Sequence, residues 1–470
     1  MDPDSTAPTT TTVSPDLFDS LCDILGEDRI FRGEDTEKYS KDFYWYSPVL
    51  KKELDDKRAE IALLIRSVEE LRKVVSLLYK AGVPTTLRGG GTGNYGQLIP
   101  LYGGAVLDLS GMNAIRELDG VVRAEVGATL REIETRAREI GWELRCMPST
   151  WMIASIGGFL CGGSGGIGSI RYGGIASGDN VKSVTLMTME AEPRLLRFEE
   201  RDALKALHTY GTTGIMVEVE MRLGDARDWQ QLIINGKDWA ALLDWTHRIA
   251  ADDSIAKRLV TQFEDPVPQY FKPLRKYIPE GSHSTFLMVD AADVDAVLES
   301  AAEAGFAHAY TKAFGNPPKP PFITDYTWNH TTLWAIKADS SITYLQCGFG
   351  EDFAGNLRKL KERFGDEFLM HLEMTLGNSK FPSDKPGVSV GGIPLIRYST
   401  EERLNEIIDY CESIGVSVAN PHTCVLEDGG RHEDIAEKHA LKGEADPAAL
   451  LNPGKMRTYP KNPFAASGAS

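Results

Sequence analysis

The first regular pattern of apolar and polar residues along the chain is that of a β-α-β unit. The apolar run 60–65 predicts a strand, and Ser67 followed by Glu70 is the capping-box pattern that begins a helix. Apolar residues then recur at helical spacing until a second strand-like run, 83–87, which leads directly into Arg88-Gly89-Gly90-Gly91-Thr92-Gly93-Asn94. A glycine-rich turn is therefore predicted at the carboxyl end of a strand, where ligands often bind.

Other apolar and alternating runs predict further elements. Strands are expected at 105–109, 121–126, 181–189 and 213–223, and helices at 129–140 and 401–414. Between about 225 and 420 glycine becomes sparser and Trp, Tyr and Phe become more frequent, and the last fifty residues are polar again. We therefore predict these divisions: a disordered tail at 1–15, a first domain at 16–225, a second domain at 226–420 and a C-terminal segment at 421–470.

Two glycine-rich segments carry the main chemical signal. The first is residues 88–94, and the second is residues 156–166. Glycine lacks a β-carbon, so its backbone N–H groups can turn onto an anion and the anion can come close. A pair of such loops predicts a ligand with a long, doubly charged middle, such as a dinucleotide, although either segment alone is also compatible with a flexible surface loop.

Both segments contain a G-x-G-x-x-G pattern, at 91–96 and at 163–168. A Rossmann fold requires a helix that opens directly from this pattern. Pro100 and two further glycines follow the first copy, and Arg171-Tyr172-Gly173-Gly174 follows the second, so we predict no helix after either. The Rossmann interpretation is therefore set aside.

Composition narrows the class of protein. The chain has 470 residues, enough for two or three domains, and its 68 Asp and Glu against 51 Lys and Arg argue against nucleic acid as the main partner. The six cysteines include no C-x-x-C pair, which argues against a disulfide framework or a cysteine metal site. With no apolar run of membrane-spanning length, we expect a soluble, cytoplasmic protein that acts on a small molecule.

Several blocks together resemble the FAD-binding domain of the vanillyl-alcohol oxidase / p-cresol methylhydroxylase (PCMH-type) family. The pattern is most similar to the branch of the glycolate oxidase subunit and D-lactate dehydrogenases. The blocks are residues 88–94, 106–113, 148–149, 155–158, 170–173, 210–217 and 451–455. The resemblance implies an α+β fold: a two-subdomain FAD-binding domain at 16–225 and a cap or substrate domain with an antiparallel sheet flanked by helices. It also implies that residues 421–470 return to the FAD domain.

The resemblance assigns cofactor contacts. The first glycine segment would wrap the FAD pyrophosphate, Ser155 and its neighbours would hold it from the other side, and the C-terminus would reach the flavin end, where a cation suits reduced flavin. Arg88 is compatible with either ligand contact or a structural salt bridge. The predicted cofactor-binding residues are Arg88, Gly89, Gly90, Gly91, Thr92, Gly93, Asn94, Pro148, Ser149, Ser155, Gly157, Gly158, Gly162, Gly163, Arg171, Ile215, Val217, Asn452 and Lys455.

Two departures from the family pattern are informative. Many of these oxidases link FAD to a histidine in the first glycine loop, but this chain has Thr92 there, so we predict FAD bound non-covalently. His371, His422 and Tyr326 remain alternative attachment points. Asp428 stands where hydroxy-acid dehydrogenases of the family have a histidine, so no metal site is expected.

Oxidation of an alcohol needs a group that takes the hydroxyl proton. The candidates are His422, Glu427 and Asp428, then His330 with His371, while Arg397 is a candidate clamp for a carboxylate. Structural roles, as a buried histidine, a turn or a surface ion pair, are the alternatives for each. The aromatic run 326–334 predicts either a pocket wall or part of the core.

These observations predict an FAD-dependent oxidoreductase. It would oxidise the CH–OH group of a small alcohol or hydroxy acid by hydride transfer to flavin N5, and pass electrons to oxygen or another carrier. The alternatives are a flavin-dependent C=C reductase and a flavin-binding protein without redox activity. A homodimer is compatible with the family.

Overall fold

The protein is an α+β structure with several sheets. A computed structural model describes residues 13–177, 179–377, 387–429 and 435–464. Most of the predicted N-terminal tail, residues 1–12, lies outside the described residues. Its last residues depart from the prediction, because Ser14 accepts the backbone N–H of Leu17 and so caps a helix that begins at Pro15.

The first sheet contains the predicted β-α-β unit. Its strands run in the order β1-β2-β4-β3, with β2, β4 and β3 parallel, and they are β1 (Ile30–Arg32), β2 (Ile61–Leu64), β3 (Thr85–Arg88) and β4 (Ala105–Asp108). Ser67 accepts the backbone N–H of Glu70 at the start of the connecting helix, which confirms the predicted N-cap. The Glu70 carboxylate, however, accepts from the backbone of Arg66 rather than from that of Ser67.

The second sheet is antiparallel and follows directly along the chain. The strands are β5 (Ile115–Leu118), β6 (Val121–Glu125), β7 (Trp142–Leu144), β8 (Val181–Met187), β9 (Leu195–Glu199) and β10 (Ile215–Asp225). The strands predicted at 181–189 and 213–223 are therefore confirmed with shifts of about two residues at their ends. Strand β10 pairs with both β6 and β8, so it forms the centre of this sheet.

The remaining strands form two further sheets. An eight-stranded sheet has the order β14-β11-β13-β12-β18-β19-β16-β21, and a smaller one has the order β15-β20-β17. The strands are β11 (Trp229–Gly236), β12 (Lys257–Phe263), β13 (His283–Asp290), β14 (Ala307–Ala313), β15 (Ile342–Tyr344), β16 (Cys347–Gly348), β17 (Phe368–Leu369), β18 (His371–Leu376), β19 (Val388–Gly392), β20 (Leu395–Arg397) and β21 (Ser417–Val418).

Helices flank these sheets. They are α1 (Pro15–Leu25), α2 (Pro48–Leu54), α3 (Val68–Lys80), α4 (Leu130–Glu139), α5 (Ile156–Gly162), α6 (Ser169–Tyr172), α7 (Trp239–Ala251), α8 (Val294–Glu303), α9 (Asn329–Ala338), α10 (Phe353–Phe364), α11 (Glu401–Ser413) and α12 (Ile435–Ala445). Helices α4 and α11 confirm the predictions, and Thr129 and Thr400 accept at their N-termini. Within the part of the chain that is described, no helix is both long and apolar enough to cross a bilayer.

Two predictions about the second glycine segment were wrong. Residues 156–162 of this segment form the helix α5 rather than a loop. Ser155 caps the N-terminus of this helix by accepting the backbone N–H of Gly158. A one-turn helix, α6, also follows the second G-x-G-x-x-G pattern, where we expected none. Neither change restores a Rossmann unit, since a parallel strand does not lead into this copy.

A buried ion network joins the second sheet to the eight-stranded sheet. Arg258, on β12, donates to the Glu134 carboxylate of α4 at 2.8 Å and to the backbone oxygen of Leu144 at 2.9 Å. Arg138 pairs with Glu143 at 2.5 Å in the same cluster. The four charged side chains are at most 3% exposed, so two cations balance two anions away from water.

The end of the chain returns to the first sheet. Thr85, at the start of β3, forms a parallel bridge with Leu451, and its backbone N–H donates to the Leu450 oxygen at 2.8 Å. The backbone N–H of Asn452 donates in turn to the Thr85 oxygen at 2.8 Å. This pairing brings the C-terminal segment beside the first glycine segment.

Candidate functional site

The two glycine segments face each other across a narrow slot. Strand β3 ends at Arg88 and delivers residues 89–93 to one wall, while Ser155 and helix α5 form the other. The slot has a volume of about 100 Å³. Ser155 joins the walls, because its hydroxyl accepts the backbone N–H groups of both Gly90 and Gly158, at 3.3 and 3.2 Å.

Close packing explains why these positions are glycine. A β-carbon at Gly89 would collide with the Ser155 hydroxyl, and one at Gly90 would collide with the backbone oxygen of Ile153. On the other wall, a β-carbon at Gly157 would lie 2.6 Å from the side chain of Val126. Side chains on either segment would therefore fill the slot or push its walls apart.

Arg88 and Asp42 bring charge to the slot. The Arg88 guanidinium donates to the backbone oxygen of Lys41 at 3.1 Å, and burial lowers the pKa of this side chain. Asp42 is buried at the slot wall, and burial raises its pKa to about 6. Its Oδ1 accepts the backbone N–H of Tyr44 at 2.8 Å. The carboxylate is thereby fixed at the wall of the slot.

The predicted C-terminal residues, Asn452 and Lys455, bond to the turn after the first glycine segment and do not line the slot. The Asn452 amide donates to the backbone oxygens of Gln97 and Tyr210, at 2.6 and 2.7 Å. The Lys455 ammonium donates to the oxygen of Gly96 at 2.5 Å, and burial lowers its pKa. Both side chains therefore fix the turn that follows the first glycine segment.

Among the residues of strand β10, Met216 lines the slot. Ile215 and Val217, the predicted residues on either side of it, are buried and do not line the slot. Arg171 lies outside the slot, with its guanidinium over the ring of Tyr172. Sequence alone predicted the strand but not which face of it meets the ligand.

A larger cavity of about 380 Å³, which we call the main cavity, adjoins the slot. Thr92, Gly93, Gly158 and Gly162 line both, so the two spaces are neighbours. Of the other predicted residues, those on the main cavity are Asn94, Pro148, Ser149 and Gly163. The opposite wall comes from the eight-stranded sheet and the segment before α9, and its residues include Trp328, Asn329, Gln346, Glu373, Thr375 and Ser417.

Glu373 is a buried carboxylate on this wall that the sequence analysis did not single out. Its Oε1 accepts the backbone N–H of Trp328 at 2.7 Å, and its Oε2 accepts the hydroxyl of Thr261 at 2.5 Å. The available signal was alternation, because His371, Glu373 and Thr375 place polar groups on one face of β18. Identifying that face as a cavity wall required the tertiary structure.

His371 lies behind Glu373 and is fully buried. Its Nε2 is 2.9 Å from the Glu373 Oε1, and its Nδ1 is 3.2 Å from the backbone oxygen of Ile393. Both ring nitrogens therefore lie within hydrogen-bond distance of protein oxygens.

The predicted bases lie outside the main cavity. His422 is buried with Nδ1 2.7 Å from the Ser47 hydroxyl and Nε2 2.8 Å from the backbone oxygen of Tyr344, and burial lowers its pKa to about 4. Burial also lowers the pKa of His330 to about 4, although its neighbours Trp328 and Asn329 reach the cavity. These two histidines are not brought together.

The remaining predicted catalytic residues, Glu427, Asp428 and Arg397, are hydrogen-bonded or ion-paired within the protein. Glu427 accepts the backbone N–H groups of Arg457 and Thr458, at 3.1 and 3.0 Å, and these bonds lower its pKa against the effect of burial. Asp428 pairs with the Arg457 guanidinium. Arg397 pairs with Asp339 at 2.6 Å, at a site where its side chain is 38% exposed. Gly430, next to this turn, lies outside the described residues.

The part of the chain that contains both glycine segments is similar to known FAD-binding proteins. The family described as FAD binding domain matches residues 59–196, which include both glycine segments. The glycolate oxidase subunit GlcD of Escherichia coli is 26% identical over 175 residues, 35% of each chain. The D-lactate dehydrogenase of Anaerostipes hadrus is 28% identical over 138 residues, 29% of this chain and 28% of that one.

A probable mitochondrial D-2-hydroxyglutarate dehydrogenase of Oryza sativa is 27% identical over 120 residues, 25% of this chain and 22% of that one. The chain thus spans about a third or less of the length of the relatives that it matches. A solved structure of alkyldihydroxyacetonephosphate synthase is similar over 93% of this chain and 86% of its own, with a TM-score of 0.69 and 16% identity. The fold is thereby that of a PCMH-type FAD-binding enzyme over nearly the whole chain.

Proposed function

We propose that this chain, whose residues 59–196 are an FAD binding domain of the PCMH type, is an FAD-dependent oxidoreductase that oxidises a CH–OH group. The observation that carries the proposal is that the slot and the main cavity share the wall formed by the two glycine segments, because a dinucleotide and a small substrate bound there would be neighbours. FAD, when bound, supplies the acceptor for a hydride at flavin N5.

The residues of the slot fit this cofactor. Gly89, Gly91 and Gly93 offer backbone N–H groups at positions without a side chain, and the Ser155 hydroxyl faces this segment, a set of groups suited to a pyrophosphate. Non-covalent binding is supported by Thr92, which cannot form the histidyl bond, and by His371, whose two nitrogens are engaged elsewhere.

Glu373 is the residue that we propose takes the hydroxyl proton. It is 3% exposed, it lines the main cavity, and hydrogen bonds from Thr261 and Trp328 hold its carboxylate in one orientation. A carboxylate oxygen can accept a further hydrogen bond, so a substrate hydroxyl can reach it. His371 would position Glu373 from behind.

The relatives support the CH–OH assignment. Their names refer to glycolate, D-lactate and D-2-hydroxyglutarate, which are all hydroxy acids. Each relative matches only part of this chain, so we propose that this protein shares the type of bond oxidised but not the particular substrate. The electron acceptor would be oxygen or another carrier.

The proposal is tested by mixing the FAD-loaded protein anaerobically with alcohols, polyols, hydroxy acids and aldehydes. We expect at least one hydroxylated donor to bleach the flavin absorbance. Recovery of colour on admitting air identifies an oxidase, and lack of recovery identifies a dehydrogenase with another acceptor. Flavin that dithionite reduces, but that no donor bleaches, would contradict the proposed activity.

A further inference from the structure

We infer that the main cavity accepts an uncharged hydroxylated compound and excludes a hydroxy acid. This inference rests on the proposed function and narrows it to a substrate class. The inferred substrate class therefore differs from the hydroxy acids that appear in the names of the relatives.

The charge of the cavity wall is the first argument. Among the described residues that line the main cavity, Glu373 carries the one formal charge, and it is negative. A substrate carboxylate bound there would lie in a partly enclosed space beside another carboxylate, where like charges repel strongly. Arg397, the cation that the sequence suggested as a clamp, is instead paired with Asp339 outside the cavity.

The second argument is the neutral polar character of the rest of the lining. Thr150, Gln346, Thr375 and Ser417 line the main cavity, and none of them is fully buried. Their hydroxyl and amide groups both donate and accept hydrogen bonds. Alcohol hydroxyls also donate and accept, so a compound with several hydroxyls matches this lining, whereas a carboxylate only accepts.

The third argument is the shape of the wall. Phe43, Tyr46 and Trp328 line the cavity and present flat aromatic surfaces beside these polar atoms. Such surfaces pack against the C–H face of a polyol ring or against an aryl ring.

The test compares hydroxy acids with uncharged analogues that keep the same CH–OH group. FAD-loaded protein is mixed anaerobically with D-lactate, its uncharged amide and 1,2-propanediol, and with mandelate and 1-phenyl-1,2-ethanediol. A cyclic polyol is added so that ring polyols and aryl alcohols are tested separately. We expect the uncharged member of each pair to reduce flavin at least about tenfold faster.

Binding gives a second measurement that does not need turnover. Isothermal titration should show D-lactate binding at least about tenfold more tightly to the Glu373→Gln protein than to the native one. The uncharged amide should show no such gain. Glu367→Gln is the matched control, because Glu367 pairs with Arg403 away from the cavity and should leave both affinities unchanged.

The outcomes separate the two proposals. Faster reduction by the carboxylates, or an affinity for D-lactate that does not rise in Glu373→Gln, would overturn the uncharged substrate class while the oxidoreductase proposal stands. If dithionite reduces the flavin but no donor of either charge does, the proposed function fails, and this inference fails with it.

Discussion

The backbone N–H of Trp328 donates to the Glu373 carboxylate at 2.7 Å, and this bond holds Trp328 in the left-handed region, at φ 52°. That conformation is strained for a large side chain and requires support from its surroundings. The indole ring consequently lies near Gly165, where a β-carbon would be 3.4 Å from it. One carboxylate thus positions a cavity wall against the second glycine segment.

Replacing Glu373 should slow flavin reduction without weakening FAD binding. We expect Glu373→Gln to retain FAD but to reduce flavin about 100-fold or more slowly with its best donor, because an amide cannot take the hydroxyl proton. Anaerobic stopped-flow absorbance measures this rate. An unchanged rate would rule out Glu373 as the base, and Glu367→Gln should behave as the native protein does.

Gly158→Ala should weaken FAD binding without unfolding the chain. A β-carbon there would meet the Ser155 hydroxyl at 3.0 Å and the backbone nitrogen of Gly90 at 4.0 Å, so it enters the slot with little collision elsewhere. We expect FAD affinity to fall about tenfold or more, while the melting temperature of the FAD-free protein changes little. Gly387→Ala is the control, because among the described residues no atom beyond its chain neighbours lies within 4 Å of the added β-carbon. Full affinity in Gly158→Ala would place the cofactor elsewhere.

Arg258→Met should strongly destabilise the fold. It would leave Glu134 and Glu143 buried with Arg138 alone, and removing one partner from a buried ion network costs about 3–5 kcal/mol. Urea denaturation measures the change in unfolding free energy. Arg397→Met removes an exposed pair and should cost about 1 kcal/mol or less, with the rate of flavin reduction unchanged. Equal losses in the two variants would contradict this description of the interface.

His422 should make stability depend on pH. Its pKa is about 4 in the fold against 6.5 in the unfolded chain, so between these values the unfolded chain binds the additional proton. Stability therefore falls as pH drops through this window, by roughly 3 kcal/mol from this residue at pH 4. His422→Gln should lower stability at pH 7 but lose less on acidification.

The pH dependence of stability must be compared between the native and His422→Gln proteins, because Asp42 changes stability with pH in the opposite direction. Its pKa is raised to about 6, so the folded chain binds the additional proton between pH 4 and 6 and its contribution grows on acidification. Parallel denaturation curves for the native and His422→Gln proteins at pH 7, 5.5 and 4 isolate the histidine. Identical pH slopes would show that the fold does not lower the pKa of His422.

Sequence patterns predicted the parts of the site that depend on local structure. The helix capped by Ser67 and the turn after β3 follow from propensity and from residues a few positions apart, and both were found. Met216 was missed because its role depends on which face of β10 meets the slot. Glu373 was missed because its strand meets the glycine segments only after the sheets pack together. Conversely, His422 has suitable chemistry but is satisfied by Ser47 and the Tyr344 backbone, which no local pattern reveals.

Non-covalent binding of FAD in the slot is tested most directly by titrating the FAD-free protein with FAD and then denaturing it with acid. We expect saturation at about one FAD per chain, with all of the flavin released into the acid supernatant, because no covalent bond holds it. Flavin that stays with the precipitate would contradict non-covalent binding. A chain that takes up no FAD would contradict the assignment of the slot itself.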